Sequence, residues 1–257
     1  MEHIEIEIKD RVGTITLNRP DKRNALNFEL IAELKEAFTS MENDDEVKLI
    51  VLKARGPAFC AGADLAYLQK LQSFSYEENL KDSTHLRDLF LTIYTLKKIV
   101  VAQVQGNALA GGCGLASVCD FVFTVPEAMF GYTEVRIGFI PAIVMIFLLR
   151  KIGEGNAKHL LLSGELIPAS EAYRIGMVYK VFPSEKLEES VSEFVRNILV
   201  ENSSQAMATT KQMIAKVQSM PLEAALNFAA EMNAHARASQ DCKKGVQAFL
   251  DKQKATW

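Results

Sequence analysis

Two short stretches of this chain carry residue types that together can do acid/base chemistry on a carbonyl compound. The first, Ala110-Gly111-Gly112-Cys113-Gly114, is a small-residue run whose glycines let the main chain approach a ligand closely. A helix beginning there aims its unpaired N–H groups at a carbonyl oxygen. The second, Gly131-Tyr132-Thr133-Glu134-Val135, supplies one carboxylate, Glu134, beyond a strand-like run at 121–125, and so can return to the same pocket. Another small-residue loop, Ala58-Phe59-Cys60-Ala61-Gly62-Ala63-Asp64-Leu65, follows the apolar run 49–52. One peptide N–H from each loop, converging on one oxygen, makes an oxyanion hole, which stabilises developing charge by about 3 kcal/mol. Glu134 would then transfer protons beside that oxygen.

Such loops need rigid elements to bring them together. Ile4, Ile6 and Ile8 alternate with Glu5 and Glu7, and Val12–Leu17 alternates again, so a hairpin turning at Lys9-Asp10-Arg11 opens the fold. Asn27 is placed to cap a helix reaching about Ser40, with Ile31, Leu34 and Phe38 on one face. The run 49–52 is a buried strand leading into the Gly56-Pro57 loop. A long helical region through Leu86, Phe90, Tyr94 and Leu96 precedes a strand at Ile99–Val104. The glycine loop follows, then a helix over 115–119 and a strand at 121–125. This recurrence predicts an α/β fold of repeated strand-strand-helix units.

From Asn156 onward helices dominate, over 157–163, 169–175, 185–201, 204–217 and 222–250, broken by Gly176, Pro183 and Pro221. Apolar positions such as Phe228, Met232 and Phe249 predict that this part docks on the core or on a neighbouring subunit. The chain divides on this reading into a core, 1–195, and a helical C-terminal oligomerisation section, 196–257.

Composition narrows the class further. Of 257 residues, 49% are apolar and 24% charged, enough for one large core and unlike a disordered or fibrous chain. A net charge of −3 offers no basic field to neutralise a nucleic-acid backbone, which argues against nucleic acid as the main partner. Cys60, Cys113, Cys119 and Cys242 form no Cys-x-x-Cys pair and no zinc-spaced set with a histidine, so neither a metal site nor a disulfide framework is expected. The N-terminus reads as a strand without a targeting pattern, and the longest apolar run, 137–149, contains Gly138 and Pro141 and falls short of a membrane span. A soluble cytoplasmic protein is the expectation.

Several motifs then coincide. Asn18-Arg19-Pro20-Asp21-Lys22-Arg23-Asn24-Ala25-Leu26, Ala61-Gly62-Ala63-Asp64, Gly106 with Ala110-Gly111-Gly112, Cys119-Asp120, Phe130-Gly131, Glu134 with Ile137-Gly138, and Ala172 with Gly176-Met177-Val178 occur in the order and spacing of the crotonase family. The chain resembles these enoyl-CoA hydratases and isomerases over essentially its whole length. Gly131 to Ala142 is most similar to the methylglutaconyl-CoA hydratase-like branch.

The resemblance implies a spiral of strand-strand-helix units and an acyl-CoA thioester substrate. Coenzyme A enters as part of that substrate, with no separate cofactor. It also implies a homotrimer or a homohexamer. In it, the N–H groups of Ala63 and Gly111 hold the thioester oxygen and Glu134 is the general acid/base. Ala61, Asp64 and Gly114 adjoin the substrate, Lys22 and Arg23 meet the nucleotide and phosphates, and Lys252 assists from its own or another subunit. The family hydratases use two glutamates around one water. The second matches Glu134, whereas the first falls at Gly114, which has no side chain.

That departure leaves several reactions open. Reversible hydration of a 2-enoyl-CoA is the preferred one, with a branched or methylglutaconyl substrate suited to the space expected beside Gly114. Double-bond isomerisation needs only one carboxylate, and decarboxylation of an acyl-CoA or acyl-carrier substrate uses the same oxyanion hole. A noncatalytic acyl-CoA-binding protein is argued against by Glu134, since a buried carboxylate without a task is costly. Tyr67, Phe139, Ile143 and Met145 are candidates for the acyl wall, with His85 the one histidine placed to join them. His3, His159 and His235 read as structural or exposed, Asp64 also as a helix cap, Asp120 as structural, and Cys60 and Cys113 as buried thiols.

Overall fold

In the computed structural model all 257 residues are described. β1 (Ile4–Lys9) and β2 (Val12–Leu17) form the antiparallel hairpin, with Lys9 opposite Val12 and a turn made by Asp10 and Arg11 at φ 51° and 68°. Two consecutive left-handed residues give the tight turn whose twist matches that of the strands. β3 (Leu49–Ala54), β5 (Ile99–Val104), β7 (Phe121–Thr124) and β10 (Lys180–Val181) continue from β2 in parallel, giving a six-stranded sheet ordered β1-β2-β3-β5-β7-β10. β3 and β5 are apolar almost throughout because helices cover the parallel sheet.

A second sheet stands beside the first. It is built from β4 (Ala58–Cys60), β6 (Asn107–Leu109), β8 (Met129–Gly131) and β9 (Leu166–Pro168), in the order β4-β6-β8-β9. Three successive turns of the chain, opening on β3, β5 and β7, place one strand in the large sheet, the next in the small sheet, and then a helix. β5 and β6 followed by α4 (Gly111–Val118) are one such unit. This is the expected spiral, and it delivers each loop after the small sheet to one region.

The helices are set by their caps and apolar faces. α1 (Phe28–Asn43) starts where Asn27 accepts a hydrogen bond from the Leu30 N–H at 3.0 Å, and it buries Leu30, Ile31, Leu34, Phe38 and Met41. α2 (Leu65–Leu71) starts at Asp64 and buries nothing, whereas α3 (Tyr76–Thr95) opens on a Ser75/Glu78 capping box and buries Leu89, Phe90 and Ile93.

Three boundaries differ from the sequence expectation. α4 begins at Gly111, not Leu115, because tertiary packing overrides the poor helix propensity of its glycines. The apolar run 137–149 belongs to a 3-10 turn, Glu134–Ile137, and to the first half of α5 (Ala142–Ser163), which continues past a kink at Gly153 (φ 76°) into the helix expected at 157–163. The stretch 222–250 is two helices, α9 (Leu222–Ala238) and α10 (Gln240–Leu250), separated at Ser239, whose hydroxyl caps α10 by accepting from the Cys242 N–H.

The other helices fall as expected at α6 (Ala169–Arg174), α7 (Leu187–Glu201) and α8 (Ser204–Val217). α7 runs unbroken through position 195 with Val195 and Leu199 in the core, so the fall in burial comes after it, in α8 to α10. No helix is long and apolar enough to cross a membrane.

Candidate active site

The two small-residue loops meet. Leu26 forms a parallel bridge with Ala63 in which the Leu26 N–H donates to Gly62 O at 2.7 Å and the Asp64 N–H to Leu26 O at 2.9 Å. That bridge uses Gly62 and Asp64 and turns the N–H of Ala63 itself away from Leu26. Gly62 sits at φ 93°, and a Cβ there would fall 2.7 Å from Ala110 Cβ and 3.4 Å from Gly111 N. A larger residue would therefore separate the loops.

On the facing side, β6 pairs with β8 so that Leu109 stands opposite Gly131, and the Ala110 N–H donates to Gly131 O at 2.7 Å. Ala110 then turns at φ 50°, ψ −126°, a conformation that favours glycine and costs an alanine about 1–3 kcal/mol. The turn makes Gly111 the first residue of α4, where its N–H has no partner within the helix. Ala63 and Gly111 thus present unpaired N–H groups from adjoining loops.

A hydrogen-bonded clamp fixes the Ala63 side. Asn24, fully buried, donates to Arg55 O at 2.8 Å and Ala58 O at 2.9 Å and accepts from the Arg19 N–H at 2.8 Å. Arg19 donates to Ala25 O at 2.6 Å and pairs with Asp64 at 3.3 Å, while Asp64 caps α2 through the Ala66 and Tyr67 N–H groups. Those hydrogen bonds and the Arg19 charge outweigh the effect of partial burial and hold the Asp64 carboxyl below its ordinary range. Asp64 therefore positions the loop, and Ala61 is tied by its N–H to Arg23 O at 3.0 Å.

Glu134 opens the 3-10 turn shortly after Gly131, the residue bonded to Ala110. It is only 9% exposed, and its Oε2 is buried with no hydrogen-bond partner. Burial raises its pKa, partly offset by its own backbone N–H. Beneath it the Tyr132 hydroxyl lies 3.0 Å from Ser117 Oγ, which donates to Gly114 O at 3.1 Å, so the segment carrying Glu134 is braced against α4. Cys113 adjoins Tyr132, and burial pushes its thiol up to about 12, as it does that of Cys60, so both are neutral thiols without nucleophilic character near pH 7.

Position 114 is where the expectation of free space fails. A Cβ on Gly114 would fall 2.8 Å from Val144 Cβ, nearer still to a Val144 methyl, and 3.0 Å from Phe90 Cε1. Val144 of α5 and Phe90 of α3 occupy the volume that a Gly114 side chain would take, so the space expected beside Gly114 is filled.

The remaining candidates divide. Lys22 and Arg23 are exposed on the loop clamped to Ala61, whereas Lys252 is exposed in the C-terminal tail, with no hydrogen bond or ion pair linking its side chain to the site. That tail is fixed elsewhere, through Trp257 to Glu201 O and to Arg11. His85 is not free to line a pocket. It stacks on Phe28 at 4.2 Å and its ring nitrogens face Phe28 O and Lys35. Tyr67 donates its hydroxyl to Asp82, and Ile143 packs on the core, while Phe139 and Met145 remain partly exposed. Arg19 and Asn24 were visible only as members of a motif, and nothing in the sequence marked Val144 or Phe90.

A two-sheet α/β spiral presenting paired backbone donors and one buried carboxyl with an unpartnered oxygen defines a class of enzyme that polarises an acyl carbonyl and moves a proton on a neighbouring carbon. Comparison with known proteins identifies the family within that class. Residues 7–257 match the model of the enoyl-CoA hydratase/isomerase family. A Thermus thermophilus protein provisionally named an enoyl-CoA hydratase is 40% identical, over 97% of this chain and 98% of its own. The crotonyl-CoA hydratase of Syntrophomonas wolfei is 34% identical, over 100% and 98%. The crystal structure of an enoyl-CoA hydratase from Mycobacterium smegmatis superposes with a TM-score of 0.93 at 31% identity, covering 99% of this chain and 98% of that one. The chain belongs to the enoyl-CoA hydratase/isomerase family, the crotonases.

Proposed function

We propose that this enzyme catalyses the reversible hydration of a 2-enoyl-CoA thioester with Glu134 as its one acid/base group. The observation that carries the reading is the Glu134 carboxyl, buried with Oε2 unpartnered, three residues after Gly131, whose carbonyl accepts the Ala110 N–H of the donor loop. The Ala63 and Gly111 N–H groups hold the thioester oxygen. Glu134 takes a proton from water as the water oxygen bonds to C3, and the double-bond electrons pass to C2, C1 and the thioester oxygen as an enolate. The same proton then passes from Glu134 to C2 on the same face. Burial favours the protonated state that this second half requires. The hydratase names of the relatives support the direction of this reading.

The substrate supplies coenzyme A, and Lys22 and Arg23 are suited to its phosphates. The exposed Leu222, Phe249 and Leu250, at 77%, 83% and 68%, suit burial in a homotrimer or homohexamer. Four free cysteines, three of them buried, suit a reducing cytoplasm.

A second reading, double-bond isomerisation, is favoured by one observation: Val144 and Phe90 fill the place of a second acid. Mass-resolved assay of crotonyl-CoA and a 3-enoyl-CoA in D₂O separates the two. Hydration predicts water added to crotonyl-CoA, with kcat/KM falling about 10²–10⁴-fold in Glu134→Gln. A shifted double bond without water makes it an isomerase, and unchanged turnover in the variant removes Glu134 from both.

A further inference from the structure

We propose that Val144, backed by Phe90, determines specificity at this site by filling the space beside Gly114, so that the enzyme prefers acyl chains unbranched at C3. The inference rests on the acyl-CoA reading above and deepens it. Gly111 and Gly114 lie on the same face of α4, one turn apart, about 4.5 Å along the axis. With a thioester oxygen on the Gly111 N–H, C2 and C3 extend past the next turn, where Gly114 stands.

The group that closes that side comes from another helix. Val144 is 4% exposed on α5, and a Cβ on Gly114 would lie 2.8 Å from its Cβ and 3.0 Å from Cε1 of the fully buried Phe90. Both are apolar, and valine is branched and stiff at χ1, so the wall yields little. A methyl on C3 meets this wall, whereas a straight chain passes it. The competing account is that Gly114 only lets α4 pack closely on α5 and that Val144 is ordinary core. The two accounts differ in what a change at 144 does to ligand preference.

The test uses saturated thioesters, which cannot be hydrated. Calorimetry gives the Kd of butanoyl-CoA and 3-methylbutanoyl-CoA for wild type, Val144→Ala and Val144→Ile, with melting curves and crotonyl-CoA hydration measured alongside. Val144→Ala is expected to shift the Kd ratio about 10-fold toward the branched ligand, the worth of about one methyl group in a fitted pocket. Val144→Ile is expected to shift it the other way. A folded Val144→Ala protein with an unchanged ratio overturns the proposal, and if that variant does not fold, an unchanged ratio in Val144→Ile does so. Because binding is read without turnover, an enzyme that fails to hydrate crotonyl-CoA but shows the shifted ratio rejects the hydratase reading alone. Hydration with no shift rejects Val144 alone.

Discussion

Glu134 carries a stability cost that the proposed chemistry would use. Its carboxyl is raised above the ordinary 4.5 by burial, so the folded protein keeps a proton that the unfolded chain has released. Stability therefore falls as pH rises from 4.5 through the raised folded value, and the loss is complete above it. Glu134→Gln removes that fall. Its melting temperature is expected to exceed that of wild type by a margin that opens with pH in this window and is then constant. Thermal melts across the window check it, and a margin independent of pH means the carboxylate is not desolvated. In wild type the acid limb of kcat/KM should lie above that of an exposed glutamate, since the proposed hydration starts from the base form. Glu134 was legible in the sequence because a carboxylate in a glycine-bounded motif advertises chemistry. Val144 was not, because a valine in an apolar run looks like any other and its role depends on a glycine on a different helix.

The elements matter chiefly through how they hold the donor loops. α2, beyond the Ala63 loop, buries nothing, so the loop is held by its backbone bridge to Leu26 and by the Asn24, Arg19 and Asp64 clamp. Asn24→Ala strips the Arg55 carbonyl and the Arg19 N–H of their Asn24 partner and leaves Ala58 O only its bond from Gln105, and is expected to cost about 2 kcal/mol, read from denaturant unfolding. Asp64→Ala removes a cap worth about 1 kcal/mol and, on the oxyanion role proposed for the Ala63 N–H, should lower kcat with KM nearly unchanged. A rise in KM alone would assign Asp64 to substrate binding. The same scale shows why some elements were readable and others not. β1, β2, β5 and α8 follow their apolar periodicity and turn residues closely. α5 was hidden by Gly153 and Gly155, and the first turn of α4 by glycines whose helical state is imposed by neighbouring strands and by α5.

At the scale of the molecule, the spiral brings the two donor loops together while the C-terminal helices attach with little burial of their own. α9 and α10 bury no residue, and the one buried residue of α8 is Lys211. Lys211 donates to Lys98 O at 2.9 Å and to Asp120 at 2.7 Å, and Asp120 also accepts from the Val100 N–H of β5 at 2.7 Å. An ion pair between residues far apart in the chain thus helps to dock this section, alongside Met207, which packs on the core, and the hydrogen bonds of Trp257 to Arg11 and Glu201. Periodicity cannot show such a link, although the strand-to-helix pattern around Asp120 was clear. Lys211→Met is expected to destabilise the protein by about 3 kcal/mol, because it leaves the Asp120 carboxylate without its cation. Asp120→Asn should do comparable damage by leaving the ammonium unpaired. The double variant should cost less than the sum of the two, by about 1 kcal/mol or more, since neither charge is then stranded. Thermal unfolding gives the cycle, and limited proteolysis locates it. Cleavage between α7 and α8, near Asn202, should rise in each single variant and recover in the double. Additive losses without that recovery would mean that the helices are held by their apolar contacts, with Lys211 merely covered by them.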